Sequence, residues 1–388
     1  MMGAAAADRF ADAAAAYVHI PFCSAVCPYC DFAVVAGRDD LATRYIDALC
    51  DEIATSEPWR ALDAVYFGGG TPSHLDHSLL SRAFDALVTR YGIAPDAELS
   101  LEANPEDFSS EQASRLREIG FNRVSFGAQS FDDSVLLNLG RRHLPEQIEM
   151  SVRTAREAGF DNVSIDLIYG TPGETDSSWA QSLHRTVEID PDHISCYALT
   201  VEPGTPLGRS VRGGAPAPDP DVQADRYELA ERLLASAGFD RYEVSNWSKP
   251  ERECRYNLTV WAQGEYEAFG NGAHGFRKGR RYRNHRRLDA YIDRVESGRS
   301  PEAGHDVIAG WDAEIDRLFA GLRRSVGVAR GTGTETLLVS DEGRSLLGAG
   351  VITEDDERLV VSRPLMTDAV HRSVLALNAP IVKAVSDA

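Results

Sequence analysis

A repeated junction limits how this chain can fold more than any other feature. A helix-like segment ends in Gly, Phe follows, and a strand-like run begins. The junction reads Gly120-Phe121-Asn122-Arg123-Val124-Ser125 and again Gly159-Phe160-Asp161-Asn162-Val163-Ser164. A looser copy reads Gly238-Phe239-Asp240-Arg241-Tyr242-Glu243-Val244-Ser245. The first two copies lie 39 residues apart, and the third lies 79 residues further on, near twice that spacing. Glycine suits the left-handed turn that closes a helix. One helix and one strand recurring at this period build a parallel sheet with crossover helices. Ser109-x-x-Gln112 fits a capping box for the helix that ends at Gly120.

Strands are expected at Tyr17–Ile20, Ala64–Phe67, Glu98–Glu102, Arg123–Phe126, Asn162–Ile168 and His193–Ala198. Six are too few for a closed eight-stranded barrel of about 250 residues. The expected fold class is therefore α/β, an open, partial (β/α)6 barrel. The Pro- and Gly-rich run Gly213–Asp221 is a loop. Past residue 305 the texture changes. Asp312–Leu322 has a helical pattern, and Val351–Val361 fits a small hairpin around Asp355-Asp356-Glu357. The expected organisation is a flexible tail over 1–16, the barrel over 17–240, an extension over 241–305, and a small helical, winged-helix-like C-terminal domain over 306–388.

Charge narrows the function classes. The 388 residues carry a net charge of −20, the wrong sign for general binding to nucleic acid or an anionic membrane. The basic run Arg277–Arg287 is accordingly expected to be a solvated surface segment rather than a nucleic-acid site. The winged-helix-like domain is read as structural or as a partner platform. No apolar run approaches the ~20 residues that span a membrane. The start, MMGAAAADRFADAAAA, has no basic n-region, so it reads as a frayed tail or short helix rather than a signal peptide, and the expected location is cytoplasmic.

Three of the six cysteines crowd together in Tyr17-Val18-His19-Ile20-Pro21-Phe22-Cys23-Ser24-Ala25-Val26-Cys27-Pro28-Tyr29-Cys30. Their spacing is C-x3-C-x2-C. Without an export signal, such a cluster points to metal or redox chemistry rather than disulfides. Three thiolates hold three irons of a cubane and leave the fourth iron open to a small chelating molecule. Zinc is the competing reading, but it takes four ligands, usually from paired C-x2-C elements, and no second pair exists here. Cys50, Cys196 and Cys254 are scattered and fit small buried apolar positions.

Further motifs fall at successive strand ends: Gly68-Gly69-Gly70-Thr71-Pro72, Glu102-Ala103-Asn104-Pro105, Gln129, Asp166 and Tyr197-Ala198. A single buried Asp or Gln is normally a satisfied structural group. Five such motifs in register point to a site, because active sites collect at the C-terminal mouth of βα barrels. Glycines there let backbone approach a ligand closely.

These residues resemble the radical S-adenosylmethionine (radical SAM) superfamily. More closely, they resemble the family of oxygen-independent coproporphyrinogen III oxidases and their heme-chaperone relatives. The likeness runs from about Tyr17 to Leu375. It includes Gly127-Ala128-Gln129-Ser130, Leu139-Gly140-Arg141-Arg142-His143, Asp166-Leu167-Ile168-Tyr169-Gly170 and Glu202-Pro203-Gly204-Thr205-Pro206-Leu207. It implies a [4Fe–4S] cluster on Cys23, Cys27 and Cys30. It implies that Tyr17, Gly69 and Glu102, with the cysteines, contact the cluster-bound S-adenosylmethionine. Tyr29, Gly70, Thr71, Gln129, Arg141, Asp166 and Ala198 match positions that bind a second S-adenosylmethionine in the oxidase, and the residues leave open whether a second molecule binds here.

The oxidase branch carries a fourth cysteine two residues after the third. Here that residue is Phe32, as in the chaperone branch. The expected function is therefore heme handling, with a heme-acceptor protein and an electron donor such as a flavodoxin or ferredoxin as partners. The alternative is an enzyme of tetrapyrrole metabolism that generates a 5′-deoxyadenosyl radical. The chaperones carry His-Asn-x-x-Tyr-Trp after Glu-Cys-Arg. This chain has Tyr256-Asn257-Leu258-Thr259-Val260-Trp261. Two readings of Tyr256 stand side by side: tyrosinate ligation of ferric heme, or packing on the barrel's flank. His274 and Cys254 are the other candidate heme ligands.

Overall fold

The computed structural model describes residues 9–379. All six expected strands form: β1 (Ala14–Ile20), β2 (Leu62–Gly69), β3 (Ile93–Ala103), β4 (Arg123–Gln129), β5 (Asn162–Tyr169) and β6 (His193–Ala198). They pair in chain order, and every pairing is parallel. The crossovers run through α1 (Ala42–Thr55), α2 (His77–Tyr91), α3 (Ser110–Ile119), α4 (Pro145–Glu157) and α5 (Asp176–Glu188). Gly120 and Gly159 take positive φ values of 123° and 86° and close α3 and α4, as the junction predicts. Ser109 caps α3 by accepting from the Gln112 N–H at 3.2 Å. The reciprocal half of the capping box is absent, because the Gln112 amide instead bonds the Ser73 carbonyl.

Side chains alternate along each strand with period two. Val65, Phe67, Leu99, Leu101, Val124, Phe126, Val163, Ile165 and Leu167 pack with the helices in one core. The intervening residues are polar and meet inside the barrel. The Arg123 guanidinium donates to Ser100 Oγ at 2.9 Å, Ser125 Oγ donates to Asp166, and Ser164 Oγ and His193 Nδ1 lie 2.8 Å apart. This strand pattern is how the fold builds a helix-covered sheet around a polar interior.

The sheet does not stop at residue 240. After α6 (Pro220–Ser236), β7 (Asp240–Glu243) and β8 (Asn246–Ser248) join it; after α7 (Arg255–Trp261), β9 (Glu265–Phe269), β10 (His274–Arg277), β11 (Arg280–Asn284) and, past α8 (Leu288–Glu296), β12 (Glu302–Val307) complete it. The order is β12-β11-β10-β9-β1-β2-β3-β4-β5-β6-β8-β7. The expected division at 240/241 therefore falls within one twelve-stranded sheet. β9 is a seventh parallel strand, lying beside β1. The third junction behaves differently from the first two: Gly238 has φ 85°, but β7 turns back at once and β8 takes the antiparallel place beside β6.

Two expectations are corrected here. The 1–16 tail is too long: Arg9–Asp12 form a 3-10 turn, and Ala14, Ala15 and Ala16 are fully buried in β1 between β2 and β9. Small side chains fit that central slot, and tertiary context overrides alanine's weak strand preference. Residues 1–8 lie outside the described residues. The basic run is solvated only in part: Lys278, Arg283, Arg286 and Arg287 are exposed, but Arg277 is not. The run forms the β10–β11 hairpin, where Arg277 is buried, ion-paired with Glu267 and set over the Trp59 ring at 4.6 Å. An apolar guanidinium face and a buried carboxylate make that burial tolerable.

A second core of Leu318, Leu322, Val328, Leu337, Ile352, Leu359, Val370 and Val374 follows. It gathers α9 (Gly310–Gly321), α10 (Thr332–Val339), α11 (Asp341–Gly348) and α12 (Thr367–Leu375) around the three short strands β13 (Val328–Ala329), β14 (Ile352–Glu354) and β15 (Arg358–Val361). The expected hairpin is β14–β15, antiparallel with Glu354 opposite Leu359. Among the described residues no helix is long and apolar enough to cross a membrane.

Glu52 ties α1 to the sheet. Its carboxylate accepts from the Gly270 N–H at 2.8 Å, Tyr291 Oη at 2.6 Å and Asn284 Nδ2 at 2.6 Å. Burial pushes its carboxyl up to about 7, and burial does the same for Glu174. A raised carboxyl binds more protons folded than unfolded, so its contribution to stability falls as pH rises from about 4.5 to about 7. The urea midpoint is expected to drop between pH 5 and pH 8, and to drop less in Glu52→Gln. Equal slopes in the two proteins would refute the assignment.

Candidate cluster and cofactor site

The C-terminal ends of the strands open into one cavity of about 500 Å³. Its wall includes Gly69 and Gly70 at the end of β2, Glu102 to Asn104 at the end of β3, Gly127 and Gln129 on β4, Asp166 and Ile168 on β5, and Tyr197 and Ala198 on β6. The loop carrying Cys23, Cys27, Tyr29 and Cys30 covers the mouth, and all four side chains line the cavity.

Glycines hold that loop in place. The Gly70 N–H donates to the Ile20 carbonyl at 2.8 Å, and the Thr71 N–H donates to the Phe22 carbonyl at 2.9 Å. A Cβ on Gly70 would sit 2.7 Å from Phe22 O, and one on Gly69, whose φ is 112°, would strike the His19 ring at 2.3 Å. The close approach made possible by these glycines is thus to the chain entering Cys23. At the far side, Gly140 (φ 69°) accepts Pro28 so closely that a Cβ would come within 2.6 Å of its ring. The Leu207 N–H donates to the Pro28 carbonyl at 2.8 Å. The motifs around Gly140 and Leu207 are therefore loop anchors.

The thiols meet donors. Thr71 Oγ1 lies 3.7 Å from Cys23 Sγ, and Arg141 Nη1 lies 3.5 Å from Cys27 Sγ. Arg141 Nη2 also donates to Asn104 Oδ1 at 2.7 Å and to the Gly127 carbonyl at 2.8 Å, which fixes the guanidinium. Its Nε is buried without a protein partner. Burial pushes the Cys23 thiol up to about 11 and also raises Cys30. On the floor, Glu102 accepts from Tyr66 Oη at 2.9 Å and from the Gly69 N–H at 3.0 Å. Burial, reinforced by the Asp166 carboxylate, pushes its carboxyl up to about 7. Gln129 adopts φ 66° at a bulge in β4, a left-handed conformation that costs a non-glycine residue free energy and that gathers at functional sites.

Of the residues singled out from the sequence, Cys23, Cys27, Cys30, Tyr29, Gly69, Gly70, Thr71, Glu102, Gln129, Arg141, Asp166 and Ala198 all line this one cavity. Tyr17 and Tyr256 do not. Tyr17 stacks on Tyr66 with ring centroids 6.3 Å apart, and Tyr256 stacks on Tyr66 at 5.3 Å and meets Tyr266 edge-on at 5.9 Å. Tyr256 is thus a member of an aromatic stack behind the cavity wall, and burial raises its phenol well above the usual range, against tyrosinate formation. Cys254 is fully buried beside Glu98 and Arg123, out of reach of an external heme. Tyr66 lines the cavity and was not legible as a site residue. Its signal was register: it pairs with Tyr17 across β1 and β2 and shares the inward parity of Glu102.

The donor set fits an iron–sulfur cluster. Three free thiols open on one cavity, with a fixed guanidinium beside one of them. Among the described residues no trio of His, Cys, Asp or Glu is tight enough for a single metal ion. A cubane spreads its three thiolates over three irons rather than gathering them on one ion. Soft thiolates without nitrogen or carboxylate ligands suit iron–sulfur chemistry.

The comparisons agree with this chemistry. Residues 17–186 match the radical SAM superfamily, and that membership implies a [4Fe–4S] cluster and S-adenosylmethionine. The chain is 39% identical over 375 residues to the heme chaperone HemW of Mycobacterium tuberculosis, covering 92% of this chain and 94% of that protein. It is 36% identical to the heme chaperone HemW of Bacillus subtilis, covering 81% and 84%. The solved structure of coproporphyrinogen III oxidase (HemN) from Escherichia coli, a radical SAM enzyme, superposes with a TM-score of 0.81 at 23% identity, covering 96% of this chain and 93% of that one, which establishes the fold. With three thiols at the mouth of a parallel barrel and this likeness along nearly its whole length, the chain belongs to the HemW family of the radical SAM superfamily.

Proposed function

We propose that this chain binds heme and passes it to an acceptor protein, using a barrel that holds a [4Fe–4S] cluster and S-adenosylmethionine. The convergence of Cys23, Cys27 and Cys30 with Glu102 and Arg141 on one cavity carries the cofactor part of this reading. The 39% identity to a protein named heme chaperone supports the cargo. In this reading the three cysteines ligate three irons, and Arg141 offsets the negative charge of Cys27. Glu102, with its two oxygens already oriented by Gly69 and Tyr66, accepts from the ammonium group of S-adenosylmethionine. Tyr17 acts at one remove, holding Tyr66 against Glu102. Tyr29, Gly70, Thr71, Gln129, Asp166 and Ala198 enclose the rest of the ligand, or a second one. When bound, the cluster supplies one-electron reduction to S-adenosylmethionine, with a flavodoxin or ferredoxin as the electron source.

The test is anaerobic reconstitution with iron and sulfide, followed by titration with heme. A saturable shift of the Soret band in cluster-loaded protein is the expected result, and no uptake would overturn the reading. A second reading, a radical enzyme acting on a tetrapyrrole, draws support from the polar far wall of Gln129, Arg141 and Asp166. Formation of 5′-deoxyadenosine with a tetrapyrrole substrate, in protein that takes up no heme, would move the assignment there.

A further inference from the structure

Tyr256 occupies the position of the chaperones' motif histidine, and its ring is committed to the stack with Tyr17, Tyr66 and Tyr266. A heme carried by this chain needs another ligand. An iron porphyrin asks for three things of a surface: a nitrogen or sulfur donor for iron, an aromatic or apolar face for the ring, and cations for two carboxylates. One patch of the structure supplies a histidine nitrogen, an aromatic ring with the Arg281 guanidinium over it at 5.8 Å, and one cation, Arg283, without a carboxylate partner among the described residues.

We propose that His274 ligates the heme iron, on the face of the β10–β11 hairpin where Phe276, Arg281 and Arg283 also project. The proposal rests on the heme-handling reading above. The register sets the patch. His274 lies opposite Arg283, and Phe276 lies opposite Arg281. Residues two apart on a strand share a face, so the four side chains form a square. Phe276 in turn lies opposite Tyr266, which joins the square to the tyrosine stack. The other face of the hairpin is closed: the Tyr282 ring lies so close to Gly275 that a Cβ there would overlap it. On the next strand the residue opposite Arg283 is Gly304, and the guanidinium lies across it, so no side chain rises beside His274 from that position.

The cations around the patch are not equally free. Arg281 is paired with Asp316 at 2.6 Å, and Arg286 with Asp31 at 2.9 Å. Among the described residues Arg283 has no carboxylate partner within ion-pair distance, which leaves it for a heme carboxylate as a charge-assisted pair. His274 is exposed. Partial burial and the nearby Arg283, Arg281 and Arg286 hold its imidazole below the usual range, so the ring is neutral and its nitrogen lone pair is available to iron. His285 borders the patch, two residues past Arg283 with its carbonyl accepting from the Gly272 N–H at 3.0 Å, so His285→Ala is the matched variant and is expected to keep the imidazole signature. The remaining histidines are less suited. His19, His143 and His193 are buried in hydrogen bonds, His74 and His305 are paired with carboxylates, and His371 is stacked on Phe319. His77 and His184 stand on α2 and α5, outside any strand register that could set a guanidinium opposite them.

The experiment is titration of the cluster-reconstituted full chain with ferric heme, followed by absorbance and electron paramagnetic resonance. Wild type is expected to show saturable binding with an imidazole signature. His274→Ala and His274→Gln are expected to lose that signature and weaken binding at least about tenfold. Arg283→Glu is expected to weaken binding with the signature kept, whereas Arg115→Glu on α3, which follows β3 four strands from β10 in the sheet, leaves both unchanged. Iron and sulfide content checks that each variant is folded and loaded. Retention of affinity and signature in both His274 variants, or loss of the signature in Tyr256→Phe, would overturn the ligand assignment and leave the heme reading intact. No heme uptake by wild type would overturn both.

Discussion

Cys27→Ala is expected to strip the chain of its cluster. After anaerobic reconstitution, wild type should hold about four irons and four sulfides per chain. The variant should approach zero and lose the broad visible absorption. The reason is geometric. Cys23 and Cys30 alone cannot hold a cubane at three corners, and no other His, Cys, Asp or Glu among the described residues completes a metal-binding trio. The loss should be specific to the cluster. Cys27 is only half-buried, and the loop around it is anchored through Gly70, Gly140 and Leu207 rather than through its side chain. The far-ultraviolet circular dichroism should therefore be unchanged. Cys50→Ala is the matched control, because Cys50 sits on α1 and packs against the helix-side core. Full iron loading in Cys27→Ala would remove this cysteine from the ligand set.

Gly70→Ala should be nearly as damaging to the site by a different route. Its added methyl would stand 2.7 Å from Phe22 O and 2.8 Å from Ile20 O, both backbone atoms. Neither can swing away as a side-chain tip could. Either the end of β2 or the chain entering Cys23 must shift, and overpacking of this kind costs about 1–3 kcal/mol. The shift falls where Cys23 is set, so iron loading should fall along with the urea midpoint. Gly204→Ala is the control. No atom lies within 4 Å of a Cβ there, and a surface change of that kind moves stability by about 0.5 kcal/mol or less. If Gly70→Ala matched wild type in midpoint and iron content, the close approach would not be what holds the loop.

Much of this architecture was legible in the residues. The Gly-Phe junctions at Gly120 and Gly159 announced two crossover units, because a left-handed glycine ending a helix is a local event that tertiary packing seldom reverses. The strand-end motifs were legible for a related reason. In a parallel barrel every strand delivers its C-terminal end to the same rim, so a list of strand ends is already a list of neighbours. That is why Gly69, Glu102, Gln129, Asp166 and Ala198, far apart in the chain, share one cavity.

What escaped the sequence was long-range. The alanines before Tyr17 gave no strand signal, yet they lie at the centre of the sheet, because β9 arrives more than two hundred residues later to pair with them. The same arrival turned a run of arginines into a hairpin and buried Arg277 against Glu267 and Trp59. For Tyr256 the motif left ligation and packing equally open, and tertiary structure decided for packing: Tyr17 and Tyr66 pair across β1 and β2, and α7 brings Tyr256 onto the same stack. The sequence by itself determined the repeat, the parity of the strands and the three cysteines, all set by local spacing. Only the tertiary structure decided that the glycines serve the cysteine loop, that Arg141 reaches Cys27, and that His274 shares a face with Arg283. Each of those depends on which distant strand or loop comes to lie alongside.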